Sequence, residues 1–350
     1  MGERAREHTS TLGGPGAQET RGMCRDPVDP LCSGGLRGDA TVKTRSRILV
    51  AALAVGALAI VSNALAAPVL TTPANERNPA AAWNAGGTTE YLAWSQNSAG
   101  APNHYDAYVR TGTAAPVKLN VRGQGWTGGI DGSTGQVVFQ RVLSGQSDLK
   151  LYDLSSGAGT PFAHTPNTAK WEWHPTISGD DLLFNRDDVS TPTQRVYLHI
   201  LSTGVETRLD MTTAATSTLY AGQVNGSWAV WTKCNPTCKV YRWHIGVSTR
   251  PELLPAPAVS PTPQQYGAGV TSGGVVYLGR SGKTCGSNVR IVRYFGSGDP
   301  AAGTVLWTLT AGRDFVFGFA RENPGSSVDY FYDRVACSTN RWDVFKVTDP

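Results

Sequence analysis

Residues 173–209 read WHPTISGDDLLFNRDDVSTPTQRVYLHILSTGVETRL, and this stretch decides the fold. Four short runs rich in apolar and β-branched residues are separated by Gly, Pro, Ser, Thr and Asp, which are typical of turns. We predict strands at Trp173–Ile177, Leu182–Asn185, Arg195–Leu201 and Val205–Leu209. Short runs at this spacing indicate an antiparallel sheet of four strands.

The same unit recurs six times along the chain. An apolar run ends in an aromatic residue at Trp94, Phe139, Phe184, Trp231, Tyr277 and Phe331. A turn glycine precedes each run, at Gly86, Gly132, Gly179, Gly226, Gly273 and Gly325. An alternating strand follows each run, and contains Tyr108, Tyr152, Tyr197, Tyr241, Val292 and Phe345. Three landmarks with one period of about 47 residues indicate a true repeat.

A four-stranded repeat of this length is typical of a β-propeller blade. We therefore predict an all-β, six-bladed propeller, with blades at about residues 76–120, 121–165, 166–211, 212–257, 258–310 and 311–350. The sixth unit contains three predicted strands up to Pro350 and lacks a fourth, outer strand. We expect residues 68–72 to supply that strand and to close the ring, which leaves no long exposed edge.

The first 66 residues contain none of the aromatic side chains and are excluded from the predicted core. A basic segment at 42–47, the apolar run Ile48–Val61 and Ala64-Leu65-Ala66 form the three-part pattern of a secretory signal peptide. We predict a signal peptide at 42–66, cleaved between Ala66 and Ala67. Residues 1–41 would be a disordered extension or a misassigned start, and an uncleaved anchor is the alternative to cleavage.

The mature chain, 67–350, is thus predicted to be secreted or held at the cell surface, without a stable membrane span. Lys+Arg is 31 and Asp+Glu is 27, a net charge of +4 that is too small to indicate a nucleic-acid partner. Gly 40 and Pro 21 favour turns over long helices. We expect a monomer.

Two neighbouring units resemble the TolB-like propeller repeats. Leu149–Gly157 is similar to the strand and turn of that repeat, and Ile177–Phe184 is similar to the hairpin that follows. The Ser-Pro-Asp-Gly turn usual in the family is altered in this chain, since Ser178 stands where Asp is expected before Gly179. The resemblance implies the propeller fold. Envelope partners do not follow from it, because the N-terminal domain of the periplasmic founder has no counterpart in this sequence.

Four cysteines remain after the predicted signal: Cys234, Cys238, Cys285 and Cys337. In an exported protein, disulfides are the default. Cys234 and Cys238 fall in one predicted hairpin, and Cys285 and Cys337 fall in the equivalent hairpins of the next two blades. We predict the pairs Cys234–Cys238 and Cys285–Cys337; a four-cysteine zinc site is the alternative.

The most suggestive candidate site is aromatic. Near the start of the innermost strand, five units carry an aromatic residue: Trp126, Trp173, Tyr220, Tyr266 and Phe315. Equivalent positions of successive blades form a ring, so these side chains would surround the mouth of the central funnel. Ala80 takes this position in the first unit and predicts a gap. Packing between blades would also explain these residues.

Four polar residues flank these positions and are predicted at the mouth: Glu172, His174, Arg313 and Asp314. No catalytic triad, phosphate loop or metal-ligating histidine motif accompanies them, so we predict no catalytic or metal-binding residues and no cofactor. Calcium remains an open possibility, through Asp180-Asp181 and Asp187-Asp188 at the ends of a predicted strand.

Three functions fit these observations, the third being that of a purely structural surface protein. The first is an exported, non-enzymatic binding module that holds a protein, carbohydrate or other cell-envelope ligand at the loop face of the funnel. The second is a hydrolase or lyase with its site in the funnel, with calcium as a possible requirement, because propeller enzymes gather reactive side chains at the axis. Fold alone does not choose between them.

Overall fold

The protein is described by a computed structural model that covers residues 67–70, 72, 74–98, 101–187, 193–212, 216–258, 263–281, 289–309, 313–314, 317–336 and 341–350. The predicted signal peptide, Phe315, Cys285 and Cys337 lie outside these residues, and so does the disulfide predicted between the two cysteines. Within the described part the regular elements are all strands, and no helix there is long and apolar enough to cross a membrane.

The strands form six antiparallel sheets in chain order, so the predicted propeller is confirmed. Blades 1 to 3 consist of β2 (Glu76–Trp83), β3 (Glu90–Ser98), β4 (Ala101–Thr111), β5 (Val117–Lys118); β6 (Gln124–Asp131), β7 (Gln136–Leu143), β8 (Gln146–Asp153), β9 (Ala158–Thr160); and β10 (Trp171–Ser178), β11 (Asp181–Asp187), β12 (Gln194–Ile200), β13 (Glu206–Met211). The four strands predicted within residues 173–209 are all present, each displaced by at most two residues at either end.

Blades 4 to 6 repeat the pattern. They consist of β14 (Thr218–Asn225), β15 (Trp228–Cys234), β16 (Cys238–His244), β17 (Glu252–Leu253); β18 (Gln264–Val270), β19 (Val276–Ser281), β20 (Val289–Tyr294), β21 (Thr304–Leu309); and β22 (Arg313–Asp314), β23 (Gly318–Glu322), β24 (Val328–Ala336), β25 (Arg341–Asp349). In blade 6, β22 and β23 both pair with β24 and together take the place of one first strand.

The N-terminal segment closes the ring as predicted. Strand β1 (Ala67–Pro68) pairs antiparallel with β25 and becomes the outer strand of blade 6. The backbone N–H of Val69 extends this pairing by donating to the carbonyl of Val344 at 3.0 Å. The first and last parts of the folded chain therefore share one sheet. This pairing closes the ring between blades 6 and 1, which no connecting loop joins.

The apolar core lies between blades rather than in one centre. Six clusters of buried side chains lie between neighbouring blades, and the one between blades 1 and 2 also contains Phe319 of blade 6. At the closing seam Leu70, Leu92 and Trp94 pack against Phe331 and Val344. Blade 1 is thus held to blade 6 by the same kind of apolar contact that joins the other five pairs, and this burial is the main favourable contribution to the fold.

One predicted disulfide is present. Cys234 ends β15, Cys238 begins β16, and their sulfur atoms are bonded, with the two Cα atoms 3.8 Å apart. The bond closes the hairpin between the second and third strands of blade 4, as predicted. The backbone N–H of Cys238 also donates to the side-chain oxygen of Gln264 at 2.5 Å, which ties this hairpin to blade 5.

Candidate functional site

The first strands of the blades contact one another in ring order and line a channel along the axis. The channel has two ends. We define the upper end as the one where the first strands begin, near Gln124, beside the hairpins between second and third strands, such as Leu143–Gln146. The lower end carries the hairpins between first and second strands, such as Asp131–Gln136.

The first strands of blades 1 to 5 are each interrupted by a bulge at about the same level of the channel. In blade 1, Asn78 and Pro79 together lie opposite one residue of the second strand, and in blade 3 His174 and Pro175 do the same. Asn78 and His174 both adopt a left-handed backbone, with φ of 53° and 47°. Such a backbone is uncommon for residues other than glycine, and it is concentrated at functional sites.

The structure describes four of the five residues predicted for the aromatic ring, and all four lie in the first strands of their blades, on the upper side of the bulges. Trp126, Trp173 and Tyr220 occupy the same register position of their blades, opposite Gln140, Asn185 and Thr232. Tyr266 lies opposite Gly279. Phe315 is outside the described residues, and Phe317 reaches the axis in blade 6, where it lines the same cavity as Tyr220 and Tyr266.

The gap predicted at Ala80 is wrong, because Arg77 takes the ring position in blade 1. Arg77 pairs with Ser95, as Trp126 pairs with Gln140. Its guanidinium carbon lies 4.1 Å from the centre of the Trp342 ring, and its Nε lies 3.7 Å from a carboxylate oxygen of Asp333. The ring of the upper end therefore contains one cation among aromatic side chains.

His174 and Phe317 meet across the axis. They belong to blades 3 and 6, which are opposite each other, and their ring centres are 4.4 Å apart at an edge-to-face angle of 79°. His174 also contacts Trp173, at 4.3 Å, and Tyr220, at 5.9 Å. Burial, together with the positive charge of Arg77, lowers the pKa of His174 from 6.5 to about 3. The imidazole is therefore neutral at physiological pH.

A cavity of about 40 Å³ lies on the axis at the level of the bulges. Its described lining includes the bulge residues Asn78 and His174, the aromatic residues Tyr220, Tyr266 and Phe317, and the hydroxyl residues Thr127, Thr176 and Thr232. No Asp, Glu, Lys or Arg is among the described lining residues. The described part of the lining therefore offers neutral hydrogen-bonding groups and aromatic faces.

Three buried polar atoms of this region have no hydrogen-bond partner among the described residues. They are Oδ1 of Asn78, Nε1 of Trp173 and Nδ1 of His174. Oδ1 of Asn78 is an acceptor and Nε1 of Trp173 is a donor, whereas Nδ1 of His174 can be either, depending on the tautomer. Leaving such an atom buried and unpaired costs about 1–3 kcal/mol, so three in one place call for an explanation.

Of the four polar residues predicted at the mouth, only His174 is placed there by the described side chains. The prediction for Glu172 is wrong, because its side chain is fully buried in the seam between blades 2 and 3. It accepts hydrogen bonds from Arg186 at 2.8 Å and Thr168 at 2.6 Å, and burial raises its pKa. Arg313 and Asp314 form β22, and only their backbone is described.

The lower end differs in having most of its described polar groups paired. Hydrogen bonds link successive blades around it, from the N–H of Gly179 to Asp131, from the N–H of Gly226 to Ser178, from Asn225 to the carbonyl of Val270, from Ser272 to Glu322, and from Trp83 to Asn323. We name this set the lower belt. Blades 1 and 2 approach too closely for a side chain, since a Cβ on Gly132 would lie 1.8 Å from the carbonyl oxygen of Trp83.

Gln223 completes the lower part of the channel. It is almost fully buried, its side-chain oxygen accepts from the N–H groups of Val270 and Ala320, both at 2.9 Å, and its amide donates to the carbonyl of Ala320 at 2.8 Å. One side chain of blade 4 thus joins blades 5 and 6. The cavity at this end is larger, at about 170 Å³, and most of the described hydrogen-bonding groups around it are paired within the protein; Nε of Arg321 is an exception.

Sequence reasoning missed Arg77, Asn78 and Phe317. The dipeptide Asn78-Pro79 is a signal for a break in a strand and could have located the bulge of blade 1. No comparable signal precedes Phe317, since the sequence there is a continuous apolar run. The stacking of Tyr105 on Trp126, at 4.1 Å, joins blades 1 and 2 and agrees with the alternative that these aromatic residues pack between blades.

Comparison with known proteins supports the fold. No protein-family model matches the chain, and no curated protein matches it either. Among solved structures, a protein of unknown function from Dyadobacter fermentans is 10% identical, with 81% of this chain and 98% of that chain covered and a TM-score of 0.52. A putative TolB from Agrobacterium tumefaciens is 17% identical, with 80% and 92% covered and a TM-score of 0.49.

TolB from Acinetobacter baumannii is 16% identical over 74% of this chain, with a TM-score of 0.49, and the match spans 63% of that chain. A gluconolactonase from Xanthomonas campestris also matches, at 12% identity and a TM-score of 0.45, over 79% of this chain and 86% of that chain. The chain is a six-bladed β-propeller, and solved TolB structures are among those that match it.

Proposed function

We propose that this chain is an exported binding module that holds a cell-envelope or protein ligand at the upper end of its channel. The observation that carries the proposal is the aromatic ring of the upper end, with unpartnered polar atoms at its base. Aromatic walls with a few polar groups that lack an internal partner are the usual composition of a ligand site.

Export is supported by two separate observations. Residues 42–66 have the pattern of a signal peptide. The Cys234–Cys238 disulfide agrees with an oxidising compartment, because such bonds are rare in proteins that remain among cytosolic reductants. Both observations concern this chain alone and do not depend on its similarity to other propellers.

The enzymatic alternative has less support from the described residues. No group of three or more His, Cys, Asp or Glu side chains that could hold a metal ion occurs among them. The imidazole of His174 contacts aromatic rings, and no carboxylate among the described side chains orients it as in an acid–base pair. The carboxylate of Glu172 accepts a hydrogen bond from Arg186 in the seam between blades 2 and 3.

The test is affinity capture with a variant of the upper end. The whole chain, attached through its C-terminus, is exposed to a detergent extract of the native cell envelope, beside a Trp126→Ala variant whose folding is verified by its melting curve. Phe295→Ala is the matched control, because Phe295 is an exposed aromatic at the lower end. We expect capture by the wild type and the control, and at least a tenfold loss with Trp126→Ala. Equal capture by all three, or none by any, would contradict the proposal.

A further inference from the structure

A groove between blades 1 and 2 forms a second surface with the features of a binding site. Blade 1 contributes residues 117–122, which are β5 and its connection to β6, and blade 2 contributes parts of β7 and β8 and residues 157–160. The described lining includes the outer strands β5 and β9 and no residue of a first strand. The groove therefore lies on the outer side of the ring, away from the channel, and we name it the outer groove.

The outer groove exposes apolar side chains. Of the eight large hydrophobic side chains that the structure describes as exposed, three line it: Val117, Val121 and Leu143. Leu119 and Phe139 also line the groove and belong to the buried core between the two blades. Exposed apolar side chains that cluster among polar ones are typical of a surface that a partner covers.

The outer groove also carries positive charge. Its described lining has no carboxylate and contains four cationic side chains: Lys118, Arg122, Arg141 and Lys150. Two carboxylates lie beside it, since Asp106 is 2.9 Å from Lys118 and Asp148 is 3.3 Å from Lys150 and 3.7 Å from Arg141. Two positive charges are left in excess. Arg122 is exposed and has no ion pair among the described residues.

Other seams between blades pair their cations individually. Arg242 meets Glu252 at 2.6 Å between blades 4 and 5, and Arg293 meets Asp349 at 2.6 Å between blades 5 and 6. The comparison omits no carboxylate of blades 1 and 2, because every undescribed side chain within residues 67–165 is uncharged in the sequence. An unbalanced cluster of cations attracts an anionic partner and favours it over neutral or cationic ones.

The backbone beside the groove favours a peptide over other anions. Strands β5 and β9 are the outer strands of their sheets, and each pairs with a single strand among the described residues. Ala158–Thr160 is exposed over its whole length, so its outer N–H and C=O groups are open to a further strand. An extended peptide can pair with such an edge while its side chains enter a neighbouring groove. An anionic polysaccharide or lipid headgroup provides the charge but not the apolar side chains.

We propose that the outer groove binds an acidic peptide segment of a partner protein, held in extended form along β9. Asp or Glu side chains of the segment pair with the excess cations, above all with Arg122. Its apolar side chains cover Val117, Val121 and Leu143. The proposal goes beyond the binding site at the channel, with which the outer groove shares no described lining residue.

The test uses the full-length chain and three fluorescein-labelled peptides. The first is Asp-Asp-Val-Val-Asp-Asp-Val-Val, an order that places acidic and apolar side chains on both faces of a strand. The second has Ser in place of Asp, and the third has Ser in place of Val. Fluorescence anisotropy measures their binding. We expect the first peptide to bind and the other two to bind at least tenfold more weakly, because each lacks one of the two kinds of contact.

A charge-reversal variant locates the contact. Arg122→Glu/Lys150→Glu reverses two charges of the groove, and Arg208→Glu/Lys239→Glu makes the same change at exposed positions of blades 3 and 4. With folding verified by melting curves, we expect binding of the first peptide to weaken at least tenfold in the groove variant and to stay at the wild-type level in the control.

A second variant tests the apolar contact without changing the charge. Val121→Ser alters a side chain that is 92% exposed, so its folding is not at risk, and the exposed Val247→Ser of blade 4 is its control. We expect weaker binding of the first peptide by Val121→Ser alone.

Four results would overturn the proposal. They are no binding of the first peptide, equal binding of the first and third peptides, equal binding by the groove variant and its control, and binding of phosphatidylglycerol vesicles in place of the peptide. Trp126→Ala, which tests the proposed function, should bind the peptide as the wild type does. Loss of peptide binding in that variant would assign the peptide to the channel, so failures of the two proposals remain distinguishable.

Discussion

The two ends of the channel are built from the same six strands, but they use their polar groups differently. At the lower end, the lower belt and Gln223 pair their polar atoms with neighbouring blades. At the upper end, Asn78, Trp173 and His174 each keep a buried polar atom without a partner among the described residues. We infer that the lower end stabilises the ring, whereas the upper end keeps hydrogen-bonding groups available for a ligand.

The largest expected effect concerns the lower end. Gln223→Met keeps the approximate shape of the side chain but leaves the N–H groups of Val270 and Ala320 and one carbonyl unpaired. We expect the free energy of unfolding to fall by about 3 kcal/mol, since each buried unpaired group costs about 1–3 kcal/mol. Urea denaturation measures this, with the half-exposed Gln136→Met as control.

Ligand capture by Gln223→Met should remain unchanged below its melting temperature. If the variant instead keeps full stability and loses the ligand, the lower end binds the ligand and the upper end stabilises the ring, which is the reverse of the expected division.

A second prediction concerns the disulfide at the upper end. Replacing Cys234 and Cys238 by alanine opens a loop of only a few residues, for which the chain-entropy model gives about 2 kcal/mol. We expect a decrease of that size in the free energy of unfolding, measured by urea denaturation without reductant. Capture should persist, because the bonded hairpin is separate from the cavity lining. Loss of capture by a folded variant would extend the site to this hairpin.

The third prediction is a pH dependence. The pKa of His174 is lowered from 6.5 to about 3, so between these values the unfolded state binds a proton that the folded state does not. Stability therefore rises with pH across this window, by at most about 1.4 kcal/mol per pH unit for one proton. His174→Asn, which tolerates a left-handed backbone, should remove this component.

Urea midpoints of the wild type and His174→Asn at several values between pH 4 and pH 7 provide the comparison. Other groups titrate in the same range, including Asp181, whose pKa burial and Asp180 raise to about 6, but they are shared by both proteins. If the free energy of unfolding changes equally with pH in the two proteins, His174 is already protonated in the folded state.

The smallest effect on stability is expected for Asn78→Gly. The Oδ1 of Asn78 has no partner to lose among the described residues, its backbone N–H still donates to Asp333, and glycine suits the left-handed backbone. We expect a change of less than about 0.5 kcal/mol, as for substitutions that remove no paired group. A loss above about 2 kcal/mol in thermal or urea denaturation would mean that Asn78 is structural and would weaken the contrast between the ends.

The fold could be predicted from the sequence because a unit of four strands repeats along the chain. Independent landmarks with one period define six blades, and the missing outer strand of the last blade predicts the closure that β1 provides. The channel was harder to predict, because the spacing of the ring position varies: Arg77 and Trp126 are 49 residues apart, whereas Trp126 and Trp173 are 47 residues apart. Counting residues therefore assigned the ring position to Ala80, when the register assigns it to Arg77.

Burial was the second obstacle to predicting the site. Glu172 and His174 are two positions apart on one strand and equally polar in sequence. Glu172 is directed into a seam, where Arg186 compensates its charge, and His174 lies at the bulge, where it turns to the axis. The direction of each side chain depends on contacts between blades, and the repeat period carries no information about those contacts.

The most direct test of the difference between the ends is ¹H–¹⁵N NMR of the tryptophan side chains. The Nε1–H of Trp173 is unpartnered among the described residues at the upper end, and that of Trp83 donates to Asn323 at 3.0 Å at the lower end. Single Trp→Phe variants assign the two signals. On addition of the captured ligand, we predict that the Trp173 signal shifts and the Trp83 signal does not. A shift of Trp83 alone would contradict the account.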